Sequence, residues 1–142
     1  MHEATIAQAI LEIANDKLKA TPHAAAILAI HVIIGEFRNV ELDSLMFAFD
    51  NIKLVSDTTR QCRLVAEIVN AKAACRGAGH LYHPTFDNSF RCPRCDNGIG
   101  KLLCGEELDV IQLTLQAEDE PTAGEHKGEP NDNEVDTYAR VT

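Results

Sequence analysis

Three cysteines share one 21-residue window of this chain, Cys75 and then Cys92-Pro93-Arg94-Cys95. A C-P-x-C turn aims two thiolates, three residues apart, at a single ion. Structural zinc takes four ligands, usually Cys and His, in a tetrahedron. A second C-x-x-C opening at Cys75 would close on residue 78, and that residue is alanine. The fourth donor has to come from elsewhere. His80, directly after Gly79, ranks first, His83 second and Cys104 third, with water as the remaining alternative. Arg91 and Arg94 flank the pair and would favour thiolate over thiol. Cys62 reads as a small core residue on a strand, and His31 as a core or sheet-edge histidine.

A second set of donors opens the chain, Met1-His2-Glu3. A free α-amine, deprotonatable backbone amides and an imidazole can supply an all-nitrogen, square-planar set suited to Ni(II) or Cu(II). The residue types allow this without requiring it.

The elements that must position these groups follow from periodicity. Residues 4 to 19 repeat apolar side chains at Ile6, Ile10, Ile13, Ala14 and Leu18, an amphipathic helix that Thr21-Pro22 ends. Ile27 to Ile34 is apolar and rich in β-branched residues, a strand buried on both sides and closed by Gly35. Helical spacing returns at Leu42, Leu45, Met46, Phe49 and Ile52, within Glu41 to Asp57. Cys62 to Val69 alternates as a half-buried strand, and Leu108 to Leu115 is a third strand. The cysteine window lies between the last two strands. It is poor in aliphatics and rich in Gly, Pro, Asn and charge, so a bound metal would have to organise it.

The fold class expected is α+β, a small two-helix domain with a three-stranded mixed sheet and an inserted zinc-ribbon module. Residues 1–71 would form the first part of that domain, 72–104 the module and 105–117 the last strand. Residues 118–142 carry eight acids against Lys127 and Arg140 and lack Leu, Ile and Phe, so they read as a disordered acidic tail. The whole chain has a formal charge of −9 over 142 residues, of which the tail accounts for −6. That balance opposes nucleic-acid binding, despite Arg76, Arg91, Arg94 and Lys101 near Tyr82, Phe86 and Phe90. A zinc-ribbon nucleic-acid or protein-interaction module is the alternative reading. A zinc hydrolase is disfavoured, because three thiolates make a metal-bound water a poor acid. No segment approaches the roughly 20 apolar residues of a membrane helix. Five cysteines without a signal peptide suit a reducing cytoplasm.

Taken in order, Met1-His2-Glu3, the segment from Ile33 to Asp50 (IIGEFRNVELDSLMFAFD), Ala71-Lys72-Ala73-Ala74-Cys75, Cys92-Pro93-Arg94-Cys95 and Gly105 to Leu115 resemble the HypA/HybF family of hydrogenase nickel-incorporation proteins. The resemblance runs over about residues 1 to 117. It implies a non-enzymatic nickel metallochaperone that carries Ni(II) at His2, with Glu3 contributing at least its backbone nitrogen. A structural Zn(II) would be held by Cys75, Cys92 and Cys95, with Ala78 standing where the family has its second cysteine. The partners implied are a HypB-type GTPase and the large subunit of [NiFe] hydrogenase, with urease served by some members. The chain itself would be a monomer or weak homodimer.

Overall fold

A computed structural model describes residues 2–118 and 134–141. The elements run α1 (Glu3–Ala20), β1 (Ala24–Gly35), α2 (Leu42–Ile52), β2 (Arg63–Val69), β3 (Lys72–Cys75), β4 (Leu81–Tyr82), β5 (Ile99–Cys104), β6 (Leu108–Ala117) and β7 (Glu134–Arg140). Two sheets form, one in the order β2-β1-β6-β7 and one in the order β4-β3-β5. The chain divides into two compact units, Met1–Val32 with Glu41–Ala66 and Asp109–Thr142, and Ile33–Val40 with Glu67–Leu108.

In the first unit α1 buries Ile6, Ile10 and Ala14 of the expected stripe together with Ala7 and Leu11, while Ile13 and Leu18 are only half-buried. Glu3 in its first turn and Lys17 and Lys19 in its last suit the helix dipole. At the C-terminal end Thr21 Oγ1 donates to the Lys17 carbonyl at 2.7 Å, and Pro22 prevents continuation. α2 is shorter than its pattern suggested. It stops at Ile52 and tightens into a 3-10 turn over Lys53–Val55, with Leu45 and Phe49 buried. The start of α2 is tied to the start of α1, because the Glu41 amide donates to Glu3 Oε1 at 3.1 Å. Ile27, Ile30 and Val32 of β1 and Val110, Leu113 and Leu115 of β6 are also buried.

The mixed sheet has four strands where three were expected. The fourth, β7, falls in the segment read as a disordered tail, and it pairs antiparallel with β6 from Asp109↔Arg140 to Thr114↔Glu134. For these seven residues the disordered reading is corrected. An edge strand needs no continuous apolar face, so low hydrophobicity did not exclude it. The rest of that expectation, over residues 119–133, lies outside the described residues.

The second unit is larger than the expected module over 72–104, since Ile33–Val40 belongs to it. Chain segments meet closely there. A Cβ on Gly35 would lie 2.2 Å from the backbone of Gly105, and Gly105 itself has φ +123° with Ala71 against it. Both positions therefore require glycine. Beside them Glu36 Oε1 accepts the Ala71 amide at 2.8 Å and lies 2.7 Å from His83 Nε2. The Ala71 amide and then the His83 ring hold the Glu36 carboxyl below its ordinary 4.5.

Two outcomes are expected. Phe49→Ala should destabilise the fold by about 3–5 kcal/mol, read by urea unfolding, because the ring is fully buried. A carboxyl with a depressed native pKa adds stability above its unfolded pKa and loses it as pH falls through the native value. The stability gap between wild type and Glu36→Gln should accordingly be largest near neutrality and shrink below pH 4.5, in paired unfolding curves at each pH.

Candidate metal centre

Cys75 is the last residue of β3, whose antiparallel neighbour β5 sets Cys75 opposite Ile99. The chain turns back at once: the Cys75 amide donates to the His80 carbonyl at 2.9 Å, and the Gly79 amide to the Cys75 carbonyl at 3.2 Å. Gly79 makes this possible at φ +72°. A second loop has the same build. The Cys92 amide donates to the Asn97 carbonyl and the Asp96 amide to the Cys92 carbonyl, both at 2.8 Å, with Asp96 at φ +60°. The Arg76 amide then donates to the Gly98 carbonyl at 2.9 Å, which joins the first loop to the segment leaving the second.

These loops bring four donor atoms together. One atom each from Cys75, His80, Cys92 and Cys95 lies within 4.8 Å of all the others. Cys75 Sγ is 3.5 Å from Cys95 Sγ, and His80 Nδ1 is 3.7 Å from the sulfurs of both Cys75 and Cys92. A tetrahedral ion with bonds of roughly 2.3 Å to sulfur and 2.0 Å to nitrogen has edges of roughly 3.8 Å and 3.5 Å. The donor set matches that tetrahedron. The sulfurs are too far apart for a disulfide, and all five cysteines are free.

Backbone amides point at the sulfurs. Ala78 N and His80 N donate to Cys75 Sγ at 3.4 and 3.2 Å, and Asn97 Nδ2 donates to Cys95 Sγ at 3.2 Å. Ala78 has no thiol to offer, and its backbone amide is what it contributes to the site. Burial pushes the Cys75 thiol up, but the Ala78 and His80 amides and the neighbouring thiols outweigh it and bring it down to about 6. Burial pushes the Cys92 thiol up. Of the two flanking arginines, Arg91 places its Nη1 3.5 Å from the Asp96 carboxylate, which offsets its charge.

The other candidates lie outside the cluster. His83, ranked second, faces Glu36. Cys104 Sγ donates to the Asn70 carbonyl at 3.3 Å. Cys62 is fully buried, and burial raises its thiol to about 12, which suits packing. Two contributors were missed. Tyr82 is buried against Cys75 and Cys92, and its hydroxyl donates to the Phe90 carbonyl at 2.6 Å, pinning the second loop. Asn97 was not singled out, although an amide side chain two residues past a C-x-x-C is a natural sulfur donor.

At the other end of the chain, His2 is exposed and precedes α1 with extended backbone, φ −74° and ψ 144°. Its carbonyl accepts the amides of Thr5 and Ile6 at 3.0 and 3.1 Å. Glu3 is not a free carboxylate. The Glu41 amide is the main reason its carboxyl sits below the ordinary value.

Comparison with known proteins agrees with this layout. A family profile described as "Hydrogenase/urease nickel incorporation, metallochaperone, hypA" matches residues 1–115. A hydrogenase maturation factor HypA of Chloroflexus aurantiacus is 34% identical over 80% of this chain and 97% of its own length. One from Desulfosudis oleivorans is 31% identical over 82% and 99%. A protein of Synechocystis named guanidine hydrolase-activating protein A is 27% identical over 80% and 93%. In fold, the solution structure of the nickel metallochaperone HypA from Helicobacter pylori superposes with a TM-score of 0.58 at 20% identity, over 83% of this chain and all of that one. A chain matched over residues 1–115 by one family, and by relatives over nearly their whole length, belongs to the HypA family of nickel-incorporation metallochaperones.

Proposed function

We propose that this protein binds Ni(II) at its amino terminus and delivers it during maturation of [NiFe] hydrogenase, without catalysing a reaction itself. The observation that carries the reading is the family match over residues 1–115, which begins at the Met1-His2-Glu3 donor set. Nickel is cargo here. The His2 imidazole binds it together with the terminal amine and the amides of His2 and Glu3, which precede the hydrogen-bond ladder of a helix and are not consumed by it. Binding at an exposed end suits an ion that has to be released. Glu3 contributes backbone nitrogen, and its carboxylate holds the first turn of α1 to Glu41.

Cys75, His80, Cys92 and Cys95 hold a structural Zn(II). Three thiolates and a neutral imidazole leave the site with one net negative charge, and the amides of Ala78 and His80 and the Asn97 side chain offset it. Four protein donors leave no open position for a water nucleophile, which argues against hydrolysis. The partners are a HypB-type GTPase and the large subunit of hydrogenase, met in the cytoplasm. Free thiols agree with a reducing compartment, and no helix among the described residues is long and apolar enough to cross a membrane. Hydrogenase is preferred as recipient because relatives at 31–34% identity carry that name, whereas the guanidine hydrolase-activating relative stands at 27%.

Nickel titration by calorimetry, on protein with an untagged terminus, tests the cargo site. His2→Ala, or one residue added before Met1, should abolish tight nickel binding while zinc content and the circular dichroism spectrum stay unchanged. Unaltered nickel affinity would remove the terminal site.

The zinc site is tested separately by metal analysis and X-ray absorption, with one zinc per chain and a shell of three sulfurs and one nitrogen expected. His80→Ala should lose zinc to a chelator faster than His83→Ala. Ala78→Cys in the His80→Ala background should restore retention. An all-sulfur shell in wild type would overturn the assignment of His80.

A further inference from the structure

β6 is a ten-residue strand, Leu-Asp-Val-Ile-Gln-Leu-Thr-Leu-Gln-Ala, with Asp109 as its one charged residue. β1 covers one of its edges and β7 the other. Without β7, a row of backbone N–H and C=O groups would stand open on a ten-residue strand with a single charge, a template for another strand. β7 replaces that edge with the sequence Glu-Val-Asp-Thr-Tyr-Ala-Arg, which has three charged residues in seven, and charge along an edge discourages further pairing.

β7 is pinned in register. Tyr138 Oη donates to Asp109 Oδ2 at 3.0 Å, Arg140 Nε lies 3.9 Å from Asp109 Oδ1, and Gln112 Nε2 donates to Asp136 Oδ1 at 3.3 Å. Asp109 is only 2% exposed, so β7 both shields this carboxylate and supplies its hydrogen bond. The family match ends at residue 115, before β7 begins. Sixteen residues, 118–133, join the two strands.

We propose that β7 is a displaceable cap, and that the β6 edge beneath it is a self-association site whose partner is β6 of a second copy. The edge already accepts an antiparallel strand. Two copies of one strand paired antiparallel about a two-fold axis form a self-complementary contact. A register centred on Gln112 would set each Asp109 opposite Leu115, so the two carboxylates would not meet. The tether decides the competition. It holds β7 at an effective concentration on the order of millimolar, above that of a second copy in dilute solution. The native chain is therefore monomeric, and release of β7 exposes the edge. This inference stands on the sheet edge alone and does not depend on the metal assignments.

The test uses the full-length chain carrying Val135→Pro and Thr137→Pro, which remove backbone donors from β7. Wild type should sediment as a monomer. The variant should dimerise with an apparent affinity roughly 100-fold higher, since its millimolar competitor is gone. A synthetic peptide of residues 133–142 should return it to monomer, and so should Gln112→Lys, which places two like charges at the two-fold centre. A folded variant that stays monomeric, or a dimer indifferent to both the peptide and Gln112→Lys, would overturn the proposal. So would a wild-type chain already paired through β6. If the proline chain does not fold, Tyr138→Phe with Arg140→Gln replaces it. Faster hydrogen exchange at β6 amides and a shift toward dimer are expected, and no change in either overturns the proposal.

Discussion

Three sulfur atoms and one imidazole nitrogen crowded within 4.8 Å of one another are the constraint on which the second unit depends. Its buried cluster consists of Ala73, Cys75, Tyr82 and Cys92, so half of it is candidate metal ligand. Strands of four, two and six residues cannot bury enough apolar surface to fold on their own account. Thiolates held this close repel one another unless a cation sits among them, and the amides turned toward the sulfurs are what a buried anionic cluster requires. The two positive φ values at Gly79 and Asp96, the carbonyl contacts of Cys75 and Cys92 and the Tyr82 hydroxyl all serve that convergence.

The two ends of the proposed metal chemistry ask for opposite things. A structural ion needs a closed shell and fixed donors, and the tetrad sits on two loops whose backbones are hydrogen-bonded at both ends. A cargo ion needs donors that can open, and an exposed residue ahead of a helix has them. The tie from Glu3 to the Glu41 amide keeps the first turn of α1 in place while leaving its backbone nitrogens outside the helical ladder. Firmness therefore begins one residue after His2.

β7 shows a different economy. Its own residues bury little, yet it changes the character of the whole sheet edge, because β6 carries a single charge. A carboxylate on that edge, Asp109, has a hydroxyl partner only while β7 is in place. Edge protection and charge satisfaction are thus carried by the same strand.

Much of this was legible in the residues themselves. Ile6, Ile10 and Ala14 marked the buried stripe of α1, Leu45 and Phe49 that of α2, and the apolar run from Ile27 marked β1, because periodicity reports which side chains leave water. His80 was legible as a candidate beside the three cysteines, because a knuckle turn limits which side chains can reach back to their sulfurs. Tertiary structure decided what periodicity does not encode, namely which distant groups become partners. Only the fold turned His83 toward Glu36, paired Arg91 with Asp96, buried Tyr82 beneath the sulfurs and aimed the Ala78 amide at Cys75. Only the fold made a strand of residues 134–140, since pairing along an edge is won by backbone hydrogen bonds that any sequence can make. Side-chain pattern determined the elements, and the path of the chain determined their contacts.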